Sequence, residues 1–219
     1  MKNNLIVLLA LVIVSCASSF KVNKSFNKKE QIIPGRVECE YFDTGGEGNA
    51  YHDMDSLNNG SGKLNPANGN FLNEFRMKEG VDISYTKTGG VDDNLYNKVA
   101  PDSNQLYVGW TMPGEWINYT VYANETTLYK VGIMYTANGD GSISLGLDGR
   151  LVTGPLKINS TRNDRDTIAW RQWHHWNKSD SLTAIKIAKG IHKITLHINE
   201  HGQMNFDYLE FSRANNDIN

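Results

Sequence analysis

The stretch that decides the fold is "LYKVGIMYTANGDGSISLGLDGR", residues 128–150. Apolar and other residues alternate through it with a period of two. Tyr129, Val131, Ile133 and Tyr135 fall on one side, and Ile143, Leu145 and Leu147 repeat the pattern after "ANGDG". Side chains separated by two positions share one face of a strand, so each run reads as a strand with one buried face. The Asn/Gly/Asp cluster between them and the "LDGR" after them are turn chemistry. Downstream, "GIHKITLHI" repeats the alternation through His192, Ile194, Leu196 and Ile198. No window carries a sustained helical stripe with caps. Short strands joined by turns, without helices between them, predict an all-β, antiparallel β-sandwich.

The span from about Ile33 to Ser212 is long enough for one such domain with a full core, and neither a linker nor an internal repeat divides it. The domain is expected over 33–213, followed by a polar tail, 214–219. Lys and Arg number 22 against 24 Asp and Glu, a net charge of −2 with no basic stripe, which argues against nucleic acid as a partner. Aromatics make up 10% of the chain, including five tryptophans, and leave ring surface beyond what a core of this size requires.

The N-terminus begins with Lys2 and a ten-residue apolar run, Leu5–Val14. A bilayer-spanning helix needs about 20 residues, so the run reads as a secretory signal rather than an anchor. Its end, "VIVSC", resembles a bacterial lipobox. The expectation is a signal peptide over 1–15, acylation at Cys16, a flexible polar tether over 16–32 and exposure at the cell surface or periplasm. Cys39 is then the one free thiol, read as a small buried apolar residue.

Three segments stand apart. Residues 44–70 are rich in Gly, Asn and Asp and too long for a hairpin turn; such loops are either functional or floppy insertions. "VECEYF" places Glu38 and Glu40 two apart, on one face if the segment is a strand. That pair fits either a hard cation or a solvated acidic edge. "GWTMPGEWINYTV", residues 109–121, holds Trp110 in turn-rich sequence, where burying an indole is difficult.

"GRVECEYFD", "GGEGNAYHDMDSLNNGSG", "EGVDISYTKTGG", "LYVGWTMPGEWINYTVYA" and "MNFDYLEF" occur in this order. Together they resemble family 6 carbohydrate-binding modules over about residues 33–212. The resemblance implies a jelly-roll sandwich, polysaccharide binding (xylan, β-glucan or agar-type glycans) without catalysis, and a monomer. It implies that Trp110 forms one wall of a loop cleft, Trp170 the opposite wall and Asn205 a polar ligand at the base. It also implies a structural Ca²⁺ held by Glu38, Glu40 and Asp207. The chemistry is consistent: a pyranose ring presents C–H groups to an aromatic plane, and an amide both donates to and accepts from hydroxyls. Trp116 and Trp173 are expected to pack on the sheets, with Trp176 open to either role. His174 and His175, as strand neighbours, are expected to point to opposite faces, and His192 to be an interior histidine. The competing readings are a small glycoside hydrolase or lyase using Glu115, and a protein-assembly module.

Overall fold

The computed structural model describes residues 24–214. Two β-sheets enclose one core. The first has seven strands, ordered Gln31–Ile33, Trp116–Ala123, Gly190–Glu200, Gly141–Leu147 and Leu156–Ile158, with Tyr51–His52 and Arg150–Leu151 attached at its margins. The second has six, ordered Asn177–Ile187, Thr127–Ala137, Met204–Arg213, Leu106–Val108 and Ile83–Tyr85, with Gly35–Glu38 pairing Met204–Arg213. The expected all-β sandwich is the fold. Among the described residues, no helix is long and apolar enough to cross a membrane.

The alternation that predicts the strands also sets their facing. Tyr129, Val131, Ile133 and Tyr135 are all buried, as are Ile143, Leu145, Ile194, Leu196 and Ile198. Antiparallel register puts Leu196 opposite Leu145 and Ile117, and Phe211 opposite Val131. Like faces therefore meet across the ladders, where directly opposed side chains interact. A second, smaller apolar cluster forms on the far face of the second sheet from Tyr107, Met134, Trp176 and Tyr208. It lies beneath the loops that carry the candidate site.

One expectation changes. The ordered fold begins before residue 33: Lys24 bridges Thr44, and Gln31–Ile33 pairs with Val121–Ala123. That pairing is parallel, unlike the antiparallel ladders elsewhere. The expected tether thus contributes residues 24–32 to the domain. Phe26 stacks on Tyr41 at 5.1 Å between centroids and tilts against Phe75 at 5.4 Å. The Gln31 amide grips the backbone of Glu38, accepting its N–H at 2.7 Å and donating to its C=O at 3.1 Å. A few well-spaced apolar groups are enough to dock a segment whose mean composition is polar. The expected signal segment, Cys16 and the tail beyond Ala214 lie outside the described residues.

Of the two readings open for the long Gly- and Asn-rich loop, the structure shows a built loop. Asn58 Oδ1 accepts backbone N–H groups from Gly60, Ser61 and Ile83. Gly60 is required there, because a Cβ would lie 1.9 Å from the Ile83 carbonyl oxygen.

Candidate functional site

Trp110 follows the strand Leu106–Val108 and has φ +49°, the left-handed region. For a residue with a bulky side chain this costs on the order of 1–2 kcal/mol. The neighbours impose it. The Trp110 N–H donates to Asn205 Oδ1 at 3.1 Å, Gly109 N–H to Asp82 O at 2.9 Å, and Thr111 Oγ1 to Met204 O at 3.0 Å. At Gly109 a Cβ would stand 2.9 Å from Asn205 Oδ1, so glycine permits this approach. Strain held in place by surrounding contacts is a feature of ligand clamps.

Trp170 sits on a short 3-10 turn, Ala169–Arg171, and is 58% exposed. The turn is clamped from behind. Arg171 donates to both oxygens of Asp166 (2.6 and 2.9 Å) and to the Gly90 carbonyl, and His175 Nε2 lies 3.0 Å from Asp166 Oδ2. The hydrogen bond from Arg171 holds the Asp166 carboxyl well below the usual range. Trp110 and Trp170 line one cavity of about 540 Å³, with Trp173, Lys87, Asp92 and His174. Neither indole lies in the core between the sheets. On its other side Trp110 borders a second hollow of about 640 Å³, shared with Asp82 and Arg162.

Asn205, expected to be a polar ligand at the cleft base, is buried and is not among the residues that line the cavity. It is 1% exposed, and its amide is engaged by protein: Oδ1 accepts from Trp110, while Nδ2 donates to Thr136 Oγ1 (2.8 Å) and His174 Nδ1 (2.9 Å). These bonds fix a tautomer by elimination. The Trp110 N–H can only donate, so Asn205 turns Oδ1 toward it and Nδ2 toward His174. Nδ1 of His174 is therefore the acceptor, and Nε2 carries the hydrogen that meets Asp92 Oδ1 at 2.5 Å. Asp92–His174–Asn205 thus forms a buried chain that ends on the Trp110 backbone.

Glu115, the candidate acid of the enzymatic reading, is buried at 6% exposure. Its carboxylate accepts the N–H groups of Met112 (2.7 Å) and Met54 (3.2 Å), a turn-holding role. Burial pushes Glu115 and Asp53 up to about 7 and Asp82 up to about 6. A raised carboxyl stabilises the fold below its unfolded value near pH 4, and that contribution is lost as pH rises through its folded value. Asp53→Asn is therefore expected to raise the melting temperature by a few degrees at pH 8, with the gain shrinking toward pH 4. Thermal melts at both pH values test this; an equal shift at both would exclude ionisation as the cause.

The acidic cluster converges as expected, but by a different route. Glu38 ends the strand Gly35–Glu38, and Cys39–Tyr41 turns as a 3-10 segment, so strand alternation is not what brings the two glutamates together. Ligand oxygens of Glu38, Glu40 and Asp207 lie within 4.8 Å of one another. Gln105 Nε2 donates to Asp207 (2.6 Å) and Glu38 (3.2 Å), whereas the buried Glu40 Oε2 has no hydrogen-bond partner. Burial raises all three carboxyls, Asp207 to about 8. Three converging hard oxygens, one of them orphaned, fit a cation such as Ca²⁺.

The remaining aromatics and histidines divide between core and surface. Trp176 is fully buried and donates to Asp92 at 3.0 Å. Trp173, expected to pack against a sheet, lines the cavity instead. His174 and His175 precede the strand Asn177–Ile187, and both are buried. His192 is half-buried and bonded to Asp148 rather than interior. Cys39 is buried, as expected. Trp116 borders a sheet-face hollow of about 360 Å³.

The chain matches none of the curated proteins searched. Among solved structures, it is 19% identical to a glycoside hydrolase family 43 arabinoxylan arabinofuranohydrolase from Bacillus subtilis, with a TM-score of 0.49, covering 85% of this chain but 28% of that one. A β-1,3-glucan-binding family 6 module from Bacillus halodurans is 15% identical at a TM-score of 0.47, with 85% and 100% covered. Another family 6 module, known from a binding sub-site dissection, is 14% identical at 0.46, with 84% and 98% covered. The family model described as carbohydrate binding module (family 6) matches residues 82–213, more than half of the chain. That span runs from the strand before Lys87 to the end of the last strand and includes Trp110, Trp170 and Trp173. The chain belongs to the family 6 carbohydrate-binding modules.

Proposed function

We propose that this protein is a non-catalytic polysaccharide-binding module that grips a sugar unit between Trp110 and Trp170. The observation that carries the reading is that both indoles line one loop cavity while neither contributes to the sandwich core. Indoles offer large rigid area with little rotamer entropy to lose, and a C–H face of a pyranose complements them. In this reading Asn205 acts through Trp110 by holding its backbone, rather than as a direct ligand.

Glu38, Glu40 and Asp207 hold a structural Ca²⁺ that joins the first strands to the last. Acylation of Cys16 tethers the monomeric module at the cell envelope, where it keeps polysaccharide near the surface. Burial of one or two sugars gathers about −4 to −8 kcal/mol, a millimolar to micromolar site.

Affinity electrophoresis in gels containing xylan, laminarin, agarose or hydroxyethylcellulose tests the proposal. At least one polymer is expected to retard the protein, and Trp170→Ala to remove most of the retardation. Migration unaffected by every polymer would overturn binding. Release of reducing ends by the purified protein would overturn the non-catalytic assignment.

A further inference from the structure

We propose that the Trp110–Trp170 cavity accepts a sugar bearing an acidic group, anchored by the Lys87 ammonium. This rests on the polysaccharide reading above and narrows its substrate class.

Lys87 lines the cavity and is half-buried, its ammonium 4.3 Å from the centroid of the Tyr85 ring. Its polar contacts are weak: Ser84 Oγ at 3.4 Å and the Tyr85 carbonyl at 3.5 Å, both at the limit of a hydrogen bond. Ser84 Oγ already accepts from Asn65 Nδ2 at 3.1 Å. Among the described residues, no carboxylate oxygen lies within ion-pairing distance of the ammonium, although surface lysines such as Lys157 and Lys178 have such partners. An ammonium with three donors, partly removed from water, is thus left without a strong acceptor.

The one acid in the cavity wall does not supply it. Asp92 is 2% exposed and is covered by donors: Oδ1 receives His174 Nε2–H and Trp176 Nε1–H, and Oδ2 receives the Lys87 backbone N–H at 2.7 Å. Its oxygens are taken up by protein donors, whereas Lys87 lines the same cavity as the indoles with its ammonium free of any such carboxylate contact among the described residues. The aromatic walls lower the local dielectric, so a carboxylate or sulfate entering there is attracted more strongly than at an open surface. A neutral hydroxyl would meet only part of that demand. Stacking and charge together therefore select a uronate or a sulfated sugar.

Two polymer pairs separate these sources: glucuronoxylan against its carboxyl-reduced form, and κ-carrageenan against its desulfated form. Calorimetric titration of the protein should show at least one native polymer bound roughly tenfold more tightly than its stripped partner. The pair showing the preference identifies uronate or sulfate. Raising NaCl from about 50 to 500 mM shortens the screening length and should reduce the preference to about threefold or less. Lys87→Met should reduce it similarly, whereas Lys87→Arg, which keeps the charge, should retain it and so separate loss of charge from loss of fold. No preference in either pair, or a preference that survives Lys87→Met, overturns the inference. Binding to neutral polymers that Trp110→Ala abolishes, together with no acidic preference, would overturn only this step. Binding to no polymer at all would overturn the polysaccharide reading with it.

Discussion

Trp110→Ala is expected to weaken polysaccharide binding by at least about 30-fold, the loss typical when a central aromatic anchor is truncated at about 2 kcal/mol or more. The backbone makes a sharper comparison available. Trp110 has φ +49°, a conformation that glycine adopts freely and alanine does not. Trp110→Gly should therefore lose binding as fully as Trp110→Ala yet be more stable by about 1 kcal/mol, or about 2–4 °C in Tm. Calorimetric titration with the polymer that retards the wild type, paired with thermal melts, measures both. If the glycine variant melts no higher than the alanine variant, the strain is not real. Undiminished binding by either variant would remove Trp110 from the site. The paired result would show that the tryptophan is kept at this position against a local backbone preference.

Removal of divalent cations should lower the melting temperature at pH 8 by about 5–10 °C. A ligand present at 100 times its dissociation constant stabilises by about 2.7 kcal/mol, and a domain of this size shifts about 2–4 °C per kcal/mol. The direction with pH follows from the carboxyls. Burial raises Asp207 from 3.8 to about 8, with Glu38 adding repulsion, so without a cation its stabilising contribution is lost as pH climbs from about 4 toward 8. A chelated sample should accordingly fall behind the calcium-loaded one as pH rises from 5 to 8. Asp207→Asn should melt at the same temperature with or without calcium. Identical wild-type melts in calcium and in chelator would rule out a structural cation at Glu38, Glu40 and Asp207.

The sandwich was legible in the chain because its signals are local. Alternation at Tyr129, Val131, Ile133 and Tyr135 needs only the geometry of one strand, and all four are buried. Trp110 was conspicuous because an indole in turn sequence has little to pack against. Other features have no local signature. Phe26 and Gln31 lie in a polar segment, and their docking depends on Tyr41, Phe75 and the Glu38 backbone. Trp173, expected on a sheet, is instead brought to the cavity by the 3-10 turn before it.

By itself, then, the sequence determined the fold class and the facing of the long strands, since both follow from residue type and spacing within a few positions. Only the tertiary structure decided that Asn205 braces Trp110, that Asp92 and His174 complete its support, and that Lys87 lines the cavity with no carboxylate among the described residues in ion-pairing distance. These relations join residues up to 95 positions apart in the chain. Which donor meets which acceptor depends on how separate loops close over the sheet, and spacing along the chain carries no record of that.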